Sequence, residues 1–147
     1  MSSSGWTVVA LPDLPRVPGR QDIEWLPLQY ALRLSAFGAN VFVGPNGGEE
    51  LIGLHDETSD YGQEEIYFVL SGAVRFELGE EVLEVRSEEV VAVRDRGVRR
   101  RATALEPGSA ALAIGAPPGS LRRSTWRPEW FAEVPTLGDG DQRDRSD

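Results

Sequence analysis

The chain of 147 residues has no cysteine, no lysine and a single histidine. Without cysteine there is no thiolate nucleophile, no disulfide, no iron–sulfur cluster and no cysteine-bound zinc. Without lysine, Schiff-base catalysis and the lysine-dependent phosphate loop are excluded. Long apolar runs are missing too, and nothing approaches the roughly 20 residues that a membrane-spanning helix requires. The opening Met1-Ser2-Ser3-Ser4-Gly5 lacks the charged and apolar regions of a secretion signal, so the cytoplasm is the expected location. No serine sits in a nucleophile elbow, which sets aside hydrolysis by a triad. Gly44, Gly47 and Gly48 flank Pro45-Asn46 without the spacing of a phosphate or dinucleotide loop, and read as turn residues. A net charge of -9 opposes nucleic acid and anionic membrane as partners.

What is present is a series of short β-prone runs, in a length that suits one domain. Residues 1–35 form an N-terminal arm in which Pro12, Pro15, Pro18 and Pro27 rule out a long helix. Within and just after the arm, Trp6-Thr7-Val8-Val9 and Asn40-Val41-Phe42-Val43 are expected to be strands. Two runs, 65–70 and 73–78, meet at Ser71-Gly72 and predict a β-hairpin. In the second, Val74, Phe76 and Leu78 share one face and Arg75 and Glu77 the other. Further strands are expected at 82–85, 90–94, 98–103 and 110–114, spaced as in barrels and sandwiches. With no repeat and no long helical periodicity, the chain reads as all-β, with a barrel over 36–132. Trp126, Trp130 and Phe131 are expected to cover a barrel edge, and the acidic tail 133–147 to be disordered.

The stretch from Gly53-Leu54-His55-Asp56-Glu57 to Gln63-Glu64-Glu65, ending at Gly72, resembles the first motif of the cupin superfamily. Val91 to Arg100 occupies the place of the second motif, with arginine where that motif carries its histidine. The chain is similar to small single-domain bacterial cupins with a degenerate metal motif. The resemblance implies a jelly-roll barrel, the double-stranded β-helix, with a small molecule bound inside. Carried over by position, the metal ligands are His55, Glu57 and Glu65, and the last ligand position is Arg100, which cannot ligate a metal. The set His55, Glu57 and Glu65 suits one divalent ion such as Mn, Fe, Zn or Ni.

Two readings of this cluster stand side by side. In one the three residues hold the metal. In the other His55 and the carboxylates form an ion-pair network around Arg100 without metal. Glu64 and Glu65 must face opposite sides of a strand, and the spacing to Gly72 turns Glu65 inward together with Tyr67 and Val69. His55, Glu65 and Tyr67 are therefore the candidate acid–base residues. Arg100 and Tyr67 are the candidate ligand-binding residues, which favours a small acid. Arg94, Arg96, Arg99, Arg100 and Arg101 look like a basic patch, but alternation splits them. Arg100 points in, while Arg99 and Arg101 point out toward Glu88, Glu89 and Glu106. Three functions follow: an enzyme of small-molecule metabolism (isomerase, oxygenase, lyase or cyclase), a metal-free binding or sensor module, or a partner-binding surface near the C-terminal tryptophans. A homodimer covering sheet edges is the expected assembly.

Overall fold

A computed structural model describes residues 4–18, 22–123 and 127–143, leaving aside the side chains of residues 122 and 123. Its strands are β1 (Glu24–Leu26), β2 (Gly38–Gly44), β3 (Glu50–His55), β4 (Glu64–Ser71), β5 (Ala73–Leu78), β6 (Glu81–Arg86), β7 (Val90–Val93), β8 (Arg100–Ala104) and β9 (Ser109–Ala116). They form a five-stranded sheet, β1-β2-β9-β4-β7, and a four-stranded sheet, β3-β8-β5-β6, with every pairing antiparallel. The protein is all-β with jelly-roll architecture. Among the described residues the one α-helix, α1 (Leu28–Ala31), is four residues long and begins directly after Pro27. Among the described residues no helix is long and apolar enough to cross a membrane.

Period-two alternation fills the space between the sheets. On β4, Tyr67 and Val69 are buried while Ile66, Phe68 and Leu70 face out. On β5, Val74 and Phe76 are buried and Arg75 is exposed. The Tyr67 and Phe76 rings meet across the interior with centroids 5.4 Å apart. Each large side chain buried in this way contributes about 2 kcal/mol from water exclusion. A second cluster lies outside the five-stranded sheet, where Leu14, Leu26 and Val41 pack with Leu28, Leu32 and Leu112. This cluster fastens the arm down, helped by the Trp25 Nε1–H donating to Asn40 Oδ1 at 2.8 Å.

Several local expectations are corrected. Strands β4 and β5 are not a hairpin, because they belong to opposite sheets. The chain crosses at Gly72, whose φ of +68° and close approach to Ser109 exclude a side chain. Residues 6–9 form no strand, since β2 already has β1 on its outer side, and Trp6 and Val8 stay exposed. Trp130 and Phe131 are exposed rather than packed on an edge, and Trp126 lies outside the described residues. Residues 137–143, expected to lack fixed structure, lie along the barrel. Arg94 pairs with Asp139, and Arg143 with Glu89 and Asp141.

Candidate functional site

His55 ends β3, and the ladder sets it opposite Arg100, the first residue of β8. Glu65 sits near the start of β4, between Val93 of β7 and Gly115 of β9. Tyr67 lies two residues along on the same inward face. The termini of three strands thus bring together His55, Glu65, Tyr67 and Arg100, and the loop after β3 adds Glu57.

His55 Nδ1 lies 2.7 Å from the Gly53 carbonyl, which can only accept, so Nδ1 donates. That contact turns Nε2 toward Glu57 Oε1 at 3.3 Å and Glu65 Oε1 at 3.8 Å. Glu65 Oε1 also accepts from Tyr67 Oη at 2.9 Å and from Arg100 Nη1 at 3.1 Å. Glu57 is held from behind, its N–H donating to the Arg96 carbonyl at 2.8 Å. Gly62 lets the loop close, since a Cβ there would sit 1.8 Å from the Glu57 carbonyl oxygen. Asp56 accepts from the Thr58 hydroxyl and N–H, which lowers its pKa and orders the turn beside Glu57.

Burial raises the Glu65 pKa above its ordinary value, and the charge of Glu57 adds to this. The Tyr67 hydrogen bond and the charges of Arg100 and His55 oppose it. Burial, followed by the charge of Glu65, pushes the Tyr67 phenol well above its usual range, so Tyr67 acts as a fixed hydrogen-bond donor. Arg100 is fully buried, and two of its donor atoms, Nε and Nη2, have no partner among the described residues.

No protein-family model matches the chain, and no curated protein matches it. Solved structures do. KdgF from a Halomonas species aligns with TM-score 0.61 and 17% identity, over 76% of this chain and 94% of its own. A cupin protein from Bacteroides fragilis aligns with TM-score 0.58 and 20% identity, over 92% and 100%. A predicted oxalate decarboxylase from Thermotoga maritima aligns with TM-score 0.59 and 20% identity, over 75% and 98%.

The chain has the cupin fold.

Within this fold, the donor atoms of His55, Glu57 and Glu65 lie within 4.8 Å of one another, and all three side chains are partly buried. With Nδ1 donating, a neutral imidazole would aim its Nε2 lone pair at two carboxylate oxygens, a repulsive arrangement. A proton on Nε2 or a cation among the three groups resolves it, so the residues present fit a divalent ion. The barrel also disperses the basic run. Arg100 is inside and Arg99 outside, but Arg101 pairs with Glu50 and Glu77, while Glu89 and Glu106 face Arg143 and Arg86. The Gly53 carbonyl and Gly62 were not foreseen as site elements. A carbonyl leaves no trace in residue identity, whereas Gly62 after Asp60-Tyr61 is a turn signal that could have been read.

Proposed function

We propose that this cupin binds a small organic acid inside its barrel and acts on it as an enzyme, with one divalent metal held by His55, Glu57 and Glu65. The observation that carries the reading is the convergence of those three donors, with His55 oriented by its own strand. When bound, such an ion supplies Lewis-acid polarisation of a ligand oxygen. Arg100 brings a buried guanidinium with two unsatisfied donor atoms, a ready partner for the acid's carboxylate. Tyr67 fixes Glu65 by hydrogen bond and keeps one oxygen of that carboxylate committed. The resemblance in fold to a predicted oxalate decarboxylase agrees with an acid as ligand but does not choose among acids.

A second reading has its own support. Arg100 already offsets the charge of Glu65, so the site also supports a metal-free binding or sensor module that takes up its ligand without turnover. Elemental analysis of protein purified without chelator separates the two. About one equivalent of metal in the parent and none in His55→Ala supports the metalloenzyme. No metal in either, together with calorimetric binding of small dicarboxylates that Arg100→Met abolishes, makes the binding module the function.

We further propose that two copies pair through the outer face of the five-stranded sheet. The arm packs over β1, β2 and Leu112 of β9, and Ile66, Phe68, Leu70 and Val90 of β4 and β7 stand 39%, 38%, 38% and 44% exposed beyond it.

A further inference from the structure

The barrel is not closed by hydrogen bonds on all sides. β6 and β7 are the terminal strands of different sheets, and no ladder joins them. Along this seam lies a cleft of about 920 Å³. Its floor is apolar, formed by Leu78, Leu83, Val85, Val91, Val93 and Val98, all of which belong to or pack on the main core. Its outer wall is the C-terminal segment 137–143.

That segment is tied down at both ends of the seam. Near the end of β7, Arg94 Nη2 donates to Asp139 Oδ1 at 2.6 Å. At the far end, Arg143 Nη1 donates to Glu89 Oε1 at 3.0 Å and to the Glu84 carbonyl at 2.5 Å. Beside and between these ties the segment offers Leu137, which is exposed, and two glycines, Gly138 and Gly140, with little side chain to fill the space beneath. Tethering a polar strap across an apolar hollow encloses volume without packing it.

The rim selects by charge. It carries Glu81, Asp95, Asp139 and Asp141 against Arg94 and Arg143, and both arginines are already ion-paired. An anion entering here would meet net negative charge, and among the described residues neither arginine of the rim is free of an ion pair. None of His55, Glu57, Glu65 and Arg100 lines the cleft, although Leu78 and Val93 of its floor stand beside Arg100 and Glu65 in the ladders.

We propose that the seam is a binding chamber for an uncharged, mainly apolar small molecule, with residues 137–143 as the strap that closes over it. The strap is held by exposed ion pairs, which are individually weak, so it lifts to admit the ligand and slows its escape.

The test uses the full chain and two fluorescent naphthalenes, the uncharged 6-propionyl-2-dimethylaminonaphthalene and the anionic 1-anilinonaphthalene-8-sulfonate. The uncharged dye is expected to bind at one site with a blue-shifted emission, about tenfold or more tighter than the anionic one. A chain ending at Thr136 is expected to release it about tenfold faster in stopped flow, with an unchanged circular dichroism spectrum. Leu83→Trp, which fills the cleft from an edge strand, is expected to weaken binding by about tenfold. If that variant does not fold, Val98→Phe fills the same space from a turn. Equal affinity for the two dyes, or undiminished binding to the filled variant that folds, overturns the chamber. Unchanged release from the shortened chain overturns the strap.

Discussion

A carboxyl can escape burial by taking a proton, whereas a guanidinium has no such exit. Glu65 and Arg100 show the two cases side by side. Arg100 is fully buried and leans on Glu65, while Glu65 has its pKa raised above 4.5, chiefly by burial. The folded state therefore holds the Glu65 proton more tightly than the unfolded state does. The resulting stability is fully present below the ordinary carboxylate value and is lost as pH rises through the raised one. Urea unfolding of metal-free protein between about pH 4 and about pH 8 reads this directly. Relative to Glu65→Gln, the parent is expected to lose stability with rising pH across that window. Arg100→Met, with the compensating cation gone, is expected to lose more and to continue losing at higher pH. Parallel profiles for parent and Glu65→Gln would contradict the assignment.

At the scale of elements, the loop between β3 and β4 decides whether Glu57 reaches His55. Gly62 packs so closely on the Glu57 carbonyl that a methyl group forces the loop apart. Gly62→Ala is expected to weaken binding of Mn or Zn by about tenfold or more, in the range seen when the support of a metal ligand is lost. The strands themselves should persist, so calorimetric titration should change while the melting temperature moves little. Gly38 provides the contrast, since a methyl there meets the Gly115 carbonyl oxygen and the Gln63 side chain only at ordinary contact distances. Gly38→Ala should leave metal affinity near that of the parent.

The same elements show what residue order reveals. The inward set Glu65, Tyr67 and Val69 followed from strict alternation, and so did Arg100 inside with Arg99 outside. Sheet membership did not follow, because propensity marks a run as extended without saying which neighbour it pairs with. A short link at Ser71-Gly72 looks the same whether the chain folds back beside itself or crosses to the other sheet. The resemblance in motif identified His55, Glu57 and Glu65, but the tautomer of His55 depends on a backbone oxygen and appears only in three dimensions. The placement of residues 137–143 was not legible, because they offer few apolar anchors, while Arg143 and Asp139 find partners far away in sequence in Glu89 and Arg94.

For the whole molecule, the apolar row on β4 is the feature most at odds with an isolated chain. If two copies meet there, sedimentation at micromolar concentration should give a dimer for the parent. Phe68→Glu, placing a carboxylate in the centre of the row, should give a monomer with the same circular dichroism spectrum. A monomeric parent would remove the proposed interface.

The position of β9 has a consequence for how the protein is made. It lies between β2 and β4, so the strand translated last supplies the central rung of the larger sheet. Before residue 116 leaves the ribosome, β2 and β4 have no central partner, and the apolar faces meant for the interior have only half a shelter. The β5–β6 hairpin can form early, but closure must wait for contacts between ends of the chain more than 60 residues apart, such as Ala39 with Ile114. Assembly is thus a single late event. A nascent chain stalled before β9 is a substrate for chaperones and proteases rather than a partly working barrel.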